Sequence, residues 1–301
     1  MSIVSARPGV SAETLGLLYG LVAVMAFSLT LPATRVAVAD LDPVFVGLGR
    51  SVVAAVIALL ILLFARPRFP TRAQWRALAI VAAGVIVGFP LLTAWAMQRV
   101  PASHGAILLG LLPLATAAAG ALRAKERPSR GFWIASMVGS TLVVAFALIS
   151  GAGKPTLADL ALLAAVLAAA VGYAEGGRLA QTLGGWQVMC WALVLAAPFL
   201  LIPVVLVGLP HAGAVPLNAW LAFAYVALVS QLFAFFIWYS ALALGGIARV
   251  SQLQLLQPFF TLFAAGLLLG EQITPMTAAF ALAVAVSVAV GRKMPVQRKI
   301  S

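Results

Sequence analysis

Charge is what this sequence has least of. Only 9% of its 301 residues are charged, and the seven acidic ones are outnumbered by nineteen Lys and Arg. An average soluble domain is about 25% charged and about 45–50% apolar. Here 64% is hydrophobic, which excludes a soluble domain of this length. There is one cysteine, Cys190, inside an apolar run, so no intrachain disulfide or cysteine metal site is available. The two histidines, His104 and His211, lie far apart in the chain. No zinc-hydrolase motif, phosphate loop or pair of intramembrane aspartates is present. An enzyme is therefore not expected, and neither is a cofactor or a metal.

What is there is a series of long apolar runs, rich in Ala and Leu. Runs of about twenty such residues read as membrane helices. They do not alternate as barrel strands would. Ten spans are expected, at roughly 15–38, 44–65, 75–97, 102–122, 131–150, 157–177, 186–208, 217–242, 246–269 and 275–292. The small residues Ala37-Val38-Ala39 resemble a cleavage site, but the preceding run is too long for a signal peptide, and the first span is expected to be retained. The fold class is an all-α polytopic membrane protein, with the lipid bilayer as its surroundings.

The net charge of +12 does not point to nucleic acid. The basic residues sit in short connections. With the N-terminus inside, the inner segments hold 15 Lys and Arg and the outer segments hold three, Arg35, Arg99 and Lys154. That bias orients both termini to the cytoplasm.

One offset recurs along the chain. Trp75 and Trp220, Pro113 and Pro258, and Glu126 and Glu271 are each 145 residues apart. Arg35 and Arg178 are 143 apart. The expectation is two five-helix repeats, residues 1–150 and 151–301. Five is odd, so the second repeat is inverted relative to the first. Secondary transporters of this kind bind their cargo near the midplane, around a central cavity between the halves.

The most polar span is the ninth, with Ser251, Gln252, Gln254 and Gln257 before Pro258. Ser251, Gln254, Gln257 and Thr261 are expected on one helix face. Pro258 is expected to free the carbonyl of Gln254. Amide and carbonyl groups together suit a zwitterionic amino acid, and helix–helix hydrogen bonding is the alternative. In the fourth span Pro113 remains, but Ala106, Leu109 and Leu112 replace the polar side chains, leaving His104 as gate, substrate contact or headgroup-facing residue. Pro32 and Pro90 mark the first and third spans, and Thr30 beside Pro32 joins the candidate substrate contacts. Tyr173, Trp238 and Trp95 are candidate aromatic contacts. Trp238 and Trp95 lie near span ends, where the interfacial belt is the heavier alternative. Glu175 is expected to pair with Arg178 or to serve as a proton or ammonium contact. Arg50 is expected to snorkel or to pair with Asp40 or Asp42, in preference to binding a carboxylate. Glu126 and Glu271 are expected to cap the helices that follow them.

Two segments carry a family resemblance. They are Leu112-Pro113-Leu114 followed by Lys125-Glu126-Arg127, and Gln257-Pro258-Phe259 followed by Gly270-Glu271-Gln272. With Arg50, they resemble the EamA-like group of the drug/metabolite transporter superfamily, over nearly the whole chain. Ala124-Lys125 departs from the second copy's Leu269-Gly270. Within the group the chain is similar to YddG-type exporters of aromatic amino acids. The resemblance implies ten helices around a central cavity, alternating access, and export of amino acids, aromatic ones favoured, across a bacterial inner membrane. Export of other amphipathic metabolites or drugs is the alternative.

Overall fold

The computed structural model of the chain describes residues 11–123, 126–150, 156–208, 215–292 and 296–298. Arg7, Lys154 and His211 lie outside them, as do Ala124 and Lys125. The described residues form helical runs α1 (Ala12–Asp40), α2 (Phe45–Ala65), α3 (Arg72–Met97), α4 (Ala102–Arg123), α5 (Arg130–Ser150), α6 (Leu157–Leu183), α7 (Gly185–Val207), α8 (Leu217–Gly245), α9 (Ile247–Leu269) and α10 (Pro275–Arg292). Eight of them, all but α5 and α10, are long and apolar enough to cross a membrane. The chain is a polytopic helical membrane protein. Strands β1 (Glu126–Pro128) and β2 (Val296–Arg298), after α4 and α10, pair antiparallel.

Local chemistry sets the helix ends. Ser11 caps α1 by accepting from the Thr14 amide, and Thr71 with Gln74 forms a capping box at α3. A second box, Thr156 with Asp159, starts α6. Between α6 and α7, and between α8 and α9, the chain turns on a single residue outside the helices. These are Gly184 (φ 86°) and Gly246 (φ 90°), backbone settings that a side chain would strain.

Packing follows small residues. α1 lies along α8, and α3 along α6; α2 pairs with α7, α4 with α9, and α5 with α10. A Cβ on Gly16 would stand 2.6 Å from the Gly245 backbone nitrogen, and one on Gly84 would land on the Ala168 carbonyl oxygen. In lipid, helices associate by such close packing and by interhelical hydrogen bonds. Leu18, Val22, Leu59, Leu63, Phe199, Leu206 and Leu267 are exposed and face outward, as a lipid surface requires.

The helices are irregular at the prolines. α1 is broken at Leu29, three residues before Pro32, and α4 has a turn at Gly110–Leu111, before Pro113. A π-helical stretch, Ala82–Gly88, precedes Pro90, and a 3₁₀ stretch, Gln252–Leu256, precedes Pro258. π-helical turns also occur at Phe45–Gly49 in α2 and Tyr225–Phe233 in α8. Proline removes the hydrogen bond to the carbonyl four residues back. Two of these carbonyls are taken by hydroxyls from other helices. Thr261 Oγ1 donates to Ser28 O at 2.8 Å, and Ser51 Oγ to Ile86 O at 3.1 Å. The Gln254 carbonyl is not free as the sequence suggested. The 3₁₀ turn tightens enough for the Gln257 N–H to reach it.

Thr261→Val should test this compensation. It strands the Ser28 carbonyl, costing about 1 kcal/mol. A melting temperature lowered by a few degrees in detergent is the expected result, and an unchanged one would show that the bond contributes nothing.

Candidate functional site

Hydrogen bonds between helices trace a polar layer through the middle of the bundle. Thr30 Oγ1 meets Ser230 Oγ at 2.8 Å, joining α1 to α8. The neighbouring Gln231 donates from Nε2 to Val85 O in α3 at 3.5 Å. Ser51 reaches the next residue of α3, Ile86, and Arg50 stands beside Ser51. Thr261 closes the layer against Ser28. All seven polar side chains named here are buried. Seven residues along α8 from Gln231, roughly 10 Å at the helical rise, is Trp238.

Trp238 centres an aromatic cluster. Its ring centroid is 5.6 Å from Tyr173 and 6.0 Å from Phe27, and Phe235 lies 4.9 Å from Phe27 and 5.7 Å from Tyr173. Gly176 makes room for the adjoining Tyr239, since a Cβ there would collide with that ring. Trp238 is fully buried, so it is no interfacial belt residue, although its place near the helix end favoured that reading. Its indole Nε1 has no hydrogen-bond partner among the described residues.

Along α9, Ser251, Gln254 and Gln257 span a 3₁₀ stretch. At three residues per turn, a spacing of three stacks them along one line. Gly20 of α1 packs at Leu253 and Ser28 at Thr261, so Gln254 and Gln257 lie between those levels, alongside Val24 and Phe27. Gln254 is 1% exposed, and among the described residues neither its Oε1 nor its Nε2 has a partner; the same holds for Gln252. Ser251 Oγ is engaged with the carbonyls of Ala248 (3.0 Å) and Pro113 (3.4 Å). Native buried polar atoms rarely stay unpaired. This concentration of them makes the stretch from Ser251 to Gln257 the candidate site.

Three candidates stand apart from this centre. Trp95 is half-buried under the Arg99 guanidinium, 3.7 Å from its ring centroid. His104 does not face headgroup water. Its Nε2 is 2.5 Å from Asp159 Oδ1, and its ring lies against Phe146. Glu175 is held by Arg178 (2.5 Å) and Arg123 (3.1 Å) at the end of the bundle that carries Arg72.

Two further expectations are corrected. Glu271 does not cap the helix after it; Thr274 does, accepting from Thr277 N. Glu271 instead caps α4, from the other half of the chain. Its Oε1 and Oε2 accept from Ala102 N (2.9 Å) and Ser103 N (3.0 Å). Arg35 joins it at 3.5 Å and also donates to Met97 O and Val100 O. The side chain of Glu126 lies outside the described residues. Arg50 neither snorkels nor pairs. It is 2% exposed, and no carboxylate among the described residues approaches it. Asp42 turns to the amides of Val44 and Phe45 instead. Ser230 and Gln231 were missed. A polar pair inside the apolar run of the eighth span is the same kind of signal that singled out the ninth.

Comparison with known proteins adds the following. The profile of the EamA-like transporter family matches residues 14–150 and again 156–291. The uncharacterized transporter YdeK of Bacillus subtilis (strain 168) is 47% identical over 281 residues, covering 93% of this chain and 98% of that protein. A solved crystal structure superposes with a TM-score of 0.69 over 95% of this chain and 99% of the other. At 15% identity, that likeness concerns the fold alone.

Proposed function

Because the chain belongs to the EamA-like transporter family, we propose that it exports amino acids, aromatic ones by preference, across a bacterial inner membrane by alternating access. The observation that carries this reading is the stacking of a buried polar layer on a buried aromatic cluster, with the unpaired Gln254 amide alongside. An aromatic amino acid has the same two parts, a charged head and a ring.

Alternating access requires two halves that can rock against each other. The two separate family matches support a division near residue 150. So does the offset of 145, which carries the π-helical Ala82–Gly88 onto residues 227–233, within Tyr225–Phe233. The helix pairings also survive exchange of the halves. α1 with α8 becomes α6 with α3, while α2–α7, α4–α9 and α5–α10 map onto themselves. The halves are inverted, the termini are cytoplasmic by the Lys and Arg bias, and the end carrying Asp40, Met97 and Glu271 faces outward.

The test is efflux from proteoliposomes loaded with single amino acids. Gln254→Ala should lower aromatic amino acid efflux about tenfold, which corresponds to one buried hydrogen bond of about 1.4 kcal/mol. Its yield in the membrane should be unchanged. Undiminished efflux by that variant would remove α9 from the site. Efflux of amphipathic drugs but of no amino acid would replace the reading with its alternative.

A further inference from the structure

We propose that Arg50 is the anchor for a carboxylate on the cargo, so that the transported class is aromatic carboxylates, recognised by acid group and ring. This rests on the central site described above and names what its polar layer binds.

The position of Arg50 is built rather than incidental. The π-helical turn Phe45–Gly49 ends immediately before it. Each extra residue in a turn advances the following side chains by about 100° around the axis. Arg50, Ser51, Ala54, Ala55 and Ala58 are then the buried face of α2, with Val53, Val56 and Leu60 exposed. Gly47 packs on Pro90 and Leu91, and Ser51 bonds to Ile86, which puts Arg50 beside the middle of α3. Gly172 packs on Val85 in the same stretch, so its neighbour Tyr173 belongs to that level.

A guanidinium at this depth demands an anion, because an unpaired charge in the membrane interior is costly. The described residues do not supply one. Of its seven acids, Glu13 pairs with Arg249, Asp159 with His104, Glu175 with Arg123 and Arg178, and Glu271 with Arg35. Asp42 accepts backbone amides, and Asp40 is exposed at its helix end. Glu126 follows α4, at the end of the bundle opposite the one where α2 begins. Arg50 Nε has no partner of any kind among the described residues. The planar fork of a guanidinium matches a carboxylate. A cargo held there by its acid group has Tyr173 and the other cluster rings next to it. No carboxylate remains in the described centre for an ammonium group, so the amino group is not the feature the charge selects.

Thermal unfolding of the purified full chain in detergent tests this with phenylalanine, phenylpropionate and phenethylamine as probes. The first two should raise the melting temperature, and phenethylamine should not. Arg50→Gln should weaken both carboxylates about a hundredfold. It should also raise the melting temperature of the unliganded protein, because a merely structural arginine would destabilise on removal. Stabilisation by phenethylamine equal to that by phenylalanine, or by no carboxylate at all, overturns the proposal. A lowered melting temperature or loss of folding in Arg50→Gln overturns the anchor role, and the panel on the wild-type chain still decides whether a carboxylate is selected. Carboxylates bound through Arg50, with no aromatic amino acid leaving loaded liposomes, would keep the anchor and sink the export reading. Export competed equally by phenethylamine would do the reverse.

Discussion

Replacing Glu271 with alanine is expected to open the Asp40 end of the bundle. This one side chain joins the connection after α9 to the first turn of α4, by accepting two backbone N–H hydrogen bonds of 2.9 and 3.0 Å, and to α1 through Arg35. Hydrogen bonds to a charged group contribute about 1.5–3 kcal/mol each. Water recovers part of this once the end opens, leaving a net loss of about 2.7 kcal/mol. That is a hundredfold shift in population toward the open form. Thr30→Cys provides the reporter, since Thr30 is buried one to two turns below Arg35. The single native thiol can be removed as Cys190→Ala. Thiol labelling of the purified protein should accelerate roughly a hundredfold in the Glu271→Ala variant, with Glu271→Gln between the two. Equal labelling rates would mean that the latch does not hold that end shut.

A leucine at position 84 is expected to abolish the folded protein. Gly84 faces the α6 backbone so closely that even a methyl group would occupy the place of the Ala168 carbonyl oxygen. Backbone cannot move aside as a flexible side chain can. α3 and α6 would have to separate, and the contacts that depend on their approach would go with them. Gly172 on Val85 and the Gln231 bond to Val85 are the first of these. Overpacking alone costs about 1–3 kcal/mol, and the stranded polar groups take the total to about 4 kcal/mol or more. Gel filtration after detergent extraction should show little monodisperse protein for Gly84→Leu. Val56→Leu on the lipid-facing side should behave as wild type; if both do, the helix contact is looser than described.

Much of this was legible in the residues. Hydropathy alone placed the ends of the helical runs to within three residues except in α6, which continues to Leu183, six residues past the expected end at 177. Polarity inside such runs singled out Ser251, Gln254 and Gln257, and proline marked where helices lose their regularity. Other features depend on three-dimensional register, which no window along the chain reports. The Glu271 latch unites residues 35, 102, 103 and 271, and only the packing of α4 on α9 brings them together. Arg50 looked like a residue with two acids at hand, but Asp42 is spent on capping amides and a π-helical turn changes the face on which Arg50 lies. Trp238 looked interfacial because distance along a helix was taken for distance from the bilayer edge.

The single-glycine turns at Gly184 and Gly246 have a consequence for biogenesis. α6 with α7, and α8 with α9, each enter the membrane as a hairpin with no loop in which orienting charge could be carried. The orienting charge near these two turns is carried within the helices, by Arg178 and Arg249. The longer arginine-rich connections, at Arg66 to Arg76 and Arg123 to Arg130, lie in the first half. Charge added at Gly184 should disturb hairpin insertion far more than the same charge added at Arg68.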